Sequence, residues 1–343
     1  MNSKNPFNMK KIAILILFAF LASCKTGESP KQPSASGKAG ELLLIMDSNN
    51  WKGEAGEGFK SVFAANIPMF PQAEPLFNII QIEEKAFTKI FESHRHIFIA
   101  EINPNEEKAK IEIGKNVWSH PQIVIKVIAP AVETFNRTII ANAQTFIDYY
   151  LKAEYERNIN ANKLMQNMEV MMALEKDFGI KMVIPQGFYI AKKTENFMWI
   201  RRTGTIEDLE MSILVSILPY RDADFDFNPN TIWTRRDSLT KLHIPGQLEG
   251  SFMTTYNSTR KDDVNIPPIS KEINFNGKYA VETSGLWRTQ GDHMGGPFIG
   301  YTIAEDNGKF LLYLDAFVYY PNKGKRNFMR QLQSIIYSLE FVK

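Results

Sequence analysis

The stretch from Gly285 to Tyr301 (GLWRTQGDHMGGPFIGY) gathers the side chains of this chain best suited to chemistry. An indole (Trp287), a guanidinium (Arg288), a carboxylate (Asp292) and an imidazole (His293) fall close together. Asp292 and His293 could share a proton at a loop tip, because imidazole titrates near neutrality. Gly291, Gly295 and Gly296 would permit positive φ or close backbone approach around them. Arg235 and Arg236 flank the stretch if their helix packs beside these strands. The bland alternative is a long hairpin with Trp287 and Phe298 packed inward, and with Arg235 and Arg236 on a solvated helix face. These six residues are therefore binding candidates, and no catalytic residue is nominated.

Other constellations fail on mechanism. Gly53 to Ser61 (GEAGEGFKS) invites a P-loop reading, but that loop needs Lys directly after its last Gly, where Phe59 stands. Glu54 and Glu57 would also oppose phosphate at the helix start. Asp222, Asp224 and Asp226 alternate as in a calcium loop, yet Phe227 and Trp233 replace the required Gly and Glu, leaving a solvated acidic turn. His94 and His96 could share a strand face, with no third ligand near in sequence, so no metal or cofactor is expected. No Gly-x-Ser-x-Gly elbow occurs, and Ser, His and Asp residues show no triad spacing. Met165, Met168, Met171 and Met172 read as core filler.

Cys24 is the single cysteine. Lys10 and Lys11 precede an apolar run from Ile12 to Leu21, then Ala22 and Ser23, which are the parts of a secretory signal. The run is about half of the roughly 20 residues needed to span a bilayer. Leu21-Ala22-Ser23-Cys24 resembles the lipobox of bacterial lipoproteins. That resemblance implies cleavage before Cys24, a diacylglycerated thiol and an acylated amino group, with palmitate-class chains holding the protein to a lipid bilayer. Lys25 in place of Asp favours the outer membrane by the same analogy, with the leaflet open. One chain holds marginally and two or three hold firmly.

The 343 residues carry 40 basic and 38 acidic side chains, a balance that argues against a nucleic-acid binder. Loss of residues 1–23 removes Lys4, Lys10 and Lys11 and no acid, leaving the mature side chains close to neutral. One cysteine excludes a disulfide scaffold or a multi-cysteine zinc protein.

The elements that must position these residues follow from periodicity. Residues 24–40 lack large apolar side chains and read as a flexible tether, reaching about 20–24 Å. Apolar runs predict strands at 41–46, 78–82, 96–102, 110–113 and 123–128. A helix is expected near 58–65. Val132, Phe135, Ile139, Ala143, Phe146 and Tyr150 make one apolar helical stripe after Pro130, and a second helix over 162–178 stops at Gly179. From 180 the texture is strand-rich: 188–192, 197–202, 211–218, 252–256, 269–275, 278–286, 298–305 and 309–319. Helices are expected over 230–242 and 325–338. The expected fold is α+β: an N-terminal α/β domain over 41–178, then an antiparallel-sheet α+β sandwich over 179–343.

Ile244-Pro245-Gly246, Gly285-Leu286-Trp287-Arg288 and Met294-Gly295-Gly296-Pro297-Phe298, with Met46-Asp47-Ser48 and Trp51, resemble a family of Bacteroidetes lipoproteins, the domain of unknown function 4837. The resemblance implies an envelope location and supplies no reaction. The C-terminal half is also similar to PsbP/Mog1-like sandwiches, through Ile184-Pro185, Gly187-Phe188, Asn276-Gly277, Asp306-Asn307-Gly308 and Ser338-Leu339-Glu340-Phe341. The functional expectation is a membrane-anchored, non-enzymatic binding or assembly module with an envelope protein partner and no nucleic acid. The alternative is a glycan-binding or glycan-hydrolysing envelope protein, with Trp51, Trp118, Trp199, Trp233 and Trp287 as stacking faces.

Overall fold

The computed structural model describes residues 32–204, 206–256, 266–305 and 308–342. Cys24 and the leader lie outside the described residues, as do Asp306 and Asn307. The chain is α+β, with an N-terminal α/β unit followed by an antiparallel sandwich.

The first unit runs β1 (Glu41–Ile45), α1 (Ser48–Lys52), α2 (Glu54–Phe63), β2 (Asn78–Ile82), α3 (Lys89–Glu92), β3 (His96–Ile102), β4 (Lys110–Lys115), β5 (Ile123–Ala129), α4 (Val132–Ala141) and α5 (Ala143–Asn162). Its sheet has the order β2-β1-β3-β5-β4, parallel except for β4. β1 is apolar from Leu42 to Ile45 because both its faces are covered there. Leu42 and Leu44 join Phe59, Phe63, Phe135 and Phe146 in the main core, while Leu43 and Ile45 face a smaller cluster with Phe87 and Phe91. Exposed β4, with Lys110, Glu112 and Lys115, guards one edge by charge.

Two local expectations change here. The stripe from Val132 to Tyr150 is broken at Asn142, whose backbone and side-chain N–H groups both donate to the Thr138 carbonyl and close α4. The tether is also shorter than its composition implies. Ser34 bridges His120 and Ser36 bridges His94, with Ala35 N–H donating to the His120 carbonyl at 3.1 Å. Gly37 (φ +91°) crosses the His94 ring so closely that a Cβ would lie 2.6 Å from Nε2. Small residues thus dock this segment as a strap, where composition alone reads freedom.

The second unit adds α6 (Met168–Phe178), β6 (Ile180–Lys181), β7 (Tyr189–Lys193), β8 (Phe197–Arg202), β9 (Glu210–Pro219), α7 (Ala223–Asp226), α8 (Pro229–His243), β10 (Phe252–Thr255), β11 (Ile269–Phe275), β12 (Lys278–Gln290), β13 (Gly295–Ala304), β14 (Phe310–Tyr319), α9 (Arg326–Tyr337) and β15 (Glu340–Phe341). The large antiparallel sheet runs β10-β12-β13-β14-β9-β8-β7, and β11 pairs β12 beyond β10. One face is covered by α6 and α9, through Leu174, Phe178, Leu332 and Ile336. α8 covers the other through Ile232. Gly179 ends α6 at φ +64°, as its position predicts.

Between the two units, α5 serves both. Phe146, Tyr150 and Ala153 fill the first core, and Tyr155 stacks on Tyr337 of α9 at 4.9 Å. The methionines after α5 correct the sequence reading: Met165, Met168 and Met172 are 67%, 55% and 59% exposed, and Met171 alone of the four packs against the second core. Met168 and Met172, one turn apart, lie on the outer side of α6, and Met165 lies in the segment before it.

Gly296 is required sterically. A Cβ there would sit 2.1 Å from the Val318 carbonyl oxygen and 3.1 Å from Trp287 Nε1. Gly296→Ala should lower stability by about 1–3 kcal/mol or more by overpacking, measured by urea denaturation. An unchanged midpoint would contradict this packing.

Candidate functional site

The hairpin segment is built by β12 and β13, with a tip at Gly291 (φ +84°) to Met294. Trp287 is buried against Phe317, ring centroids 5.4 Å apart, and Phe298 is buried in the same cluster. Asp292 spends its carboxylate on backbone: Oδ2 accepts from Gln247 N–H at 2.7 Å and Oδ1 from His293 N–H at 2.6 Å. Those backbone bonds hold its pKa below the ordinary value. His293 is exposed at the tip. Arg288 lies over the Tyr256 ring at 5.0 Å.

The two arginines of α8 part company. Arg235 pairs with Asp226, Nη2 to Oδ1 at 2.5 Å, and lies over Phe225. Asp226 is fully buried and also accepts from the N–H groups of Arg221 and Asp222, whereas Asp222 and Asp224 are exposed as a solvated turn requires. Arg236 points into the sheet, as α8 does pack beside these strands. Its Nε donates to Asp315 Oδ2 at 2.8 Å, Nη1 to Thr255 at 3.1 Å, and its guanidinium covers Phe298 at 3.7 Å. Burial opposes the Arg236 charge, but Asp315 and then Tyr313 outweigh it, so its pKa is raised. Tyr313 adds a hydrogen bond to the same Asp315 oxygen at 3.0 Å, in space left by Gly300. The six candidates therefore do not converge: Trp287 alone lines the nearby 250 Å3 pocket, with Trp199, Phe317, Arg201 and Glu210.

A second buried charge cluster lies in the first unit. Glu154 Oε1 accepts from His96 Nε2 at 2.8 Å and pairs with Arg95 at 3.2 Å and Arg157 at 3.3 Å. Burial would raise the Glu154 pKa, but His96 and the two guanidiniums hold the carboxyl well below the usual range. Burial pushes His96 down to about 4, so at neutral pH it is a neutral imidazole donating from Nε2. His94 Nδ1 sits 2.9 Å from the His96 carbonyl. Both histidines are thus engaged in packing and hydrogen bonding with their own unit.

The cavity with the strongest unmet chemistry lies at the junction of the units. It holds about 300 Å3, between the 67–70 loop, Leu76, Leu151 and Tyr155 on one side and Phe298, Ile299 and α9 on the other. Arg326 and Arg330 line it and are 6% and 5% exposed. Arg326 donates to the Pro75 carbonyl at 2.7 Å. Arg330 Nη2 donates to the Leu76 carbonyl at 2.5 Å and its guanidinium faces Phe77, while Nη1 is buried without a partner among the described residues. Burial, then repulsion from Arg326, push the Arg330 pKa down to about 10. Glu282 lines the same cavity and pairs with Lys271 at 2.8 Å.

Sequence reading passed over these arginines as ordinary residues of an amphipathic helix. A signal was there. Arg326 and Arg330 are spaced i, i+4, a repulsive pair on one helix face, and no acid occurs between Lys325 and Leu339.

No curated protein matches the chain. Among solved structures it is similar to a point mutant of protein Mog1, at 13% identity and TM-score 0.31, covering 48% of this chain and 92% of that one. The Ran-binding protein Mog1p of Saccharomyces cerevisiae is similar at 12% identity and TM-score 0.30, covering 48% and 91%. Residues 35–163 match the family described as domain of unknown function DUF8532. Residues 138–338, from the last turn of α4 through the shared helix α5 and the sandwich to the end of α9, match domain of unknown function DUF4837, and the chain belongs to that family.

Proposed function

We propose that the chain is a lipid-anchored binding module of the bacterial cell envelope, a lipoprotein of Bacteroidetes type whose ligand enters the junction cavity. The observation that carries this reading is the pairing of buried, incompletely bonded Arg330 with apolar walls in one concave site. Its lining also includes Ser284, Lys271 and Glu282, the last two bound to each other at 2.8 Å. The anchor reading rests on Lys10, Lys11, the apolar run and Cys24. From Cys24 to the strap at Pro33 the chain can span at most about 30 Å, so an acylated Cys24 would keep the body close to lipid.

Cys24→Ala should abolish fatty-acid labelling and release the protein from the membrane fraction. Unchanged retention would refute the anchor. Turnover of an envelope substrate by the purified protein would refute the binding-only role.

A glycan-binding reading has one observation in its favour, the pocket walled by Trp199, Trp287 and Phe317. Its one lining carboxylate, Glu210, is bound to Arg201 at 2.5 Å, so a hydrolytic carboxylate pair is not assembled there. Tryptophan fluorescence titration with envelope oligosaccharides tests it.

A further inference from the structure

Arg330 sits in an electrostatic position that the protein alone leaves incomplete. A buried guanidinium normally faces a carboxylate, as Arg236 faces Asp315. Among the described residues Arg330 hydrogen-bonds only the Leu76 carbonyl and lies over an aromatic face; Arg326 one turn earlier adds like charge, which Tyr155 and Glu154 offset in part from a distance. The walls beside it, Phe70, Leu76, Met329 and Ile299, are apolar. A ligand completing this site needs one acceptor group for a guanidinium and an apolar body. Lys271 and Glu282 line the same space but meet each other at 2.8 Å, which leaves Arg330 as the group short of an acceptor. At water's share of about 30 Å3 per molecule the volume takes roughly ten non-hydrogen atoms.

We propose that the junction cavity binds a small apolar monocarboxylate, of the size of a medium-chain fatty acid, with its carboxylate on Arg330 and its chain along the Met329–Ile299 wall. This rests on the reading that the cavity is the binding site. Charge-assisted hydrogen bonding from a desolvated guanidinium supplies the selectivity for carboxylate over alcohol.

The test is calorimetric titration of the full chain carrying C24A with octanoate, octanol and octylamine. Octanoate should bind at least about 10-fold tighter than octanol, the minimum expected of a charged hydrogen bond, and octylamine weakest. Arg330→Met should erase the carboxylate preference. It removes an uncompensated buried cation, so it should leave thermal stability unchanged or higher, which separates lost binding from lost fold. Ile269→Trp, at a half-exposed position on the cavity lining, should block both octanoate and octanol. Equal binding of octanoate and octanol, or full octanoate affinity in Arg330→Met, overturns the carboxylate assignment while leaving the cavity as the site. Absence of binding by all three probes overturns the assignment, and binding of octanoate or octanol that Ile269→Trp leaves intact overturns the cavity reading with it.

Discussion

Glu154→Ala should lower the unfolding free energy by about 3–5 kcal/mol, because it strands buried cations. Arg95 and Arg157 would lose their shared carboxylate, and His96 Nε2 would lose its acceptor within the core. Glu154→Gln should recover only part of the loss, since the amide keeps an acceptor without the charge. The same cluster sets the acid response. The folded-state pKa of Glu154 is depressed, so its stabilisation is present above the unfolded value near 4.5 and lost as pH falls below it. His96 is also depressed, from 6.5 to about 4, so the unfolded chain takes up a proton first as pH drops through that window. Stability should therefore fall between pH 6.5 and 4 at up to about 1.4 kcal/mol per pH unit for this one group. His96→Gln should flatten that portion of the curve and leave the lower, carboxylate-driven fall. Urea denaturation across pH 2 to 7 reads both. A wild-type curve level down to pH 4 would contradict this account of the cluster.

Asp315→Ala should cost a similar amount, about 3–5 kcal/mol, by leaving Arg236 charged and buried with Thr255 and Met253 as its nearest polar partners. The double variant Arg236→Met with Asp315→Leu should regain most of that stability, because a well-packed apolar pair replaces a desolvated ion pair. Thermal unfolding of both variants beside the parent decides it. A double variant as unstable as Asp315→Ala would mean that the pair contributes more than mutual neutralisation. Arg236 thus changes role: a member of the candidate binding set by sequence, it is a structural cation at the centre of the sandwich.

Much of the fold was legible because strands and helices bury periodic faces. The bounds of β2, β3, β8 and β11 coincide with those expected from the sequence. The Gly179 cap was legible for a local reason, its left-handed backbone. Asn142 was not, because an apolar stripe continues across it and only its side-chain bond to Thr138 splits the helix. The strap over His94 was hidden for the opposite reason: small polar residues read as free chain until a partner surface is supplied.

The hairpin drew attention through its unusual composition. Gly285 and Gly296 lie where a Cβ would collide with Phe298 and with the Val318 carbonyl, and Asp292 ties the tip to Gln247. Its chemistry-rich residues thus have packing work to do. The junction cavity escaped notice because its parts come from distant segments, the 67–76 loop, α5, β11 to β13 and α9, which only tertiary structure brings together. Arginine spacing on α9 was the one local trace.

Photo-crosslinking in intact cells compares these two surfaces directly. A diazirine-bearing leucine analogue, close in size to the residue it replaces, in place of Ile269 on the lining of the junction cavity should yield a discrete adduct, and the same analogue in place of His293, at the hairpin tip, should yield none. An adduct from position 293 with nothing from position 269 would contradict the assignment of function to the cavity.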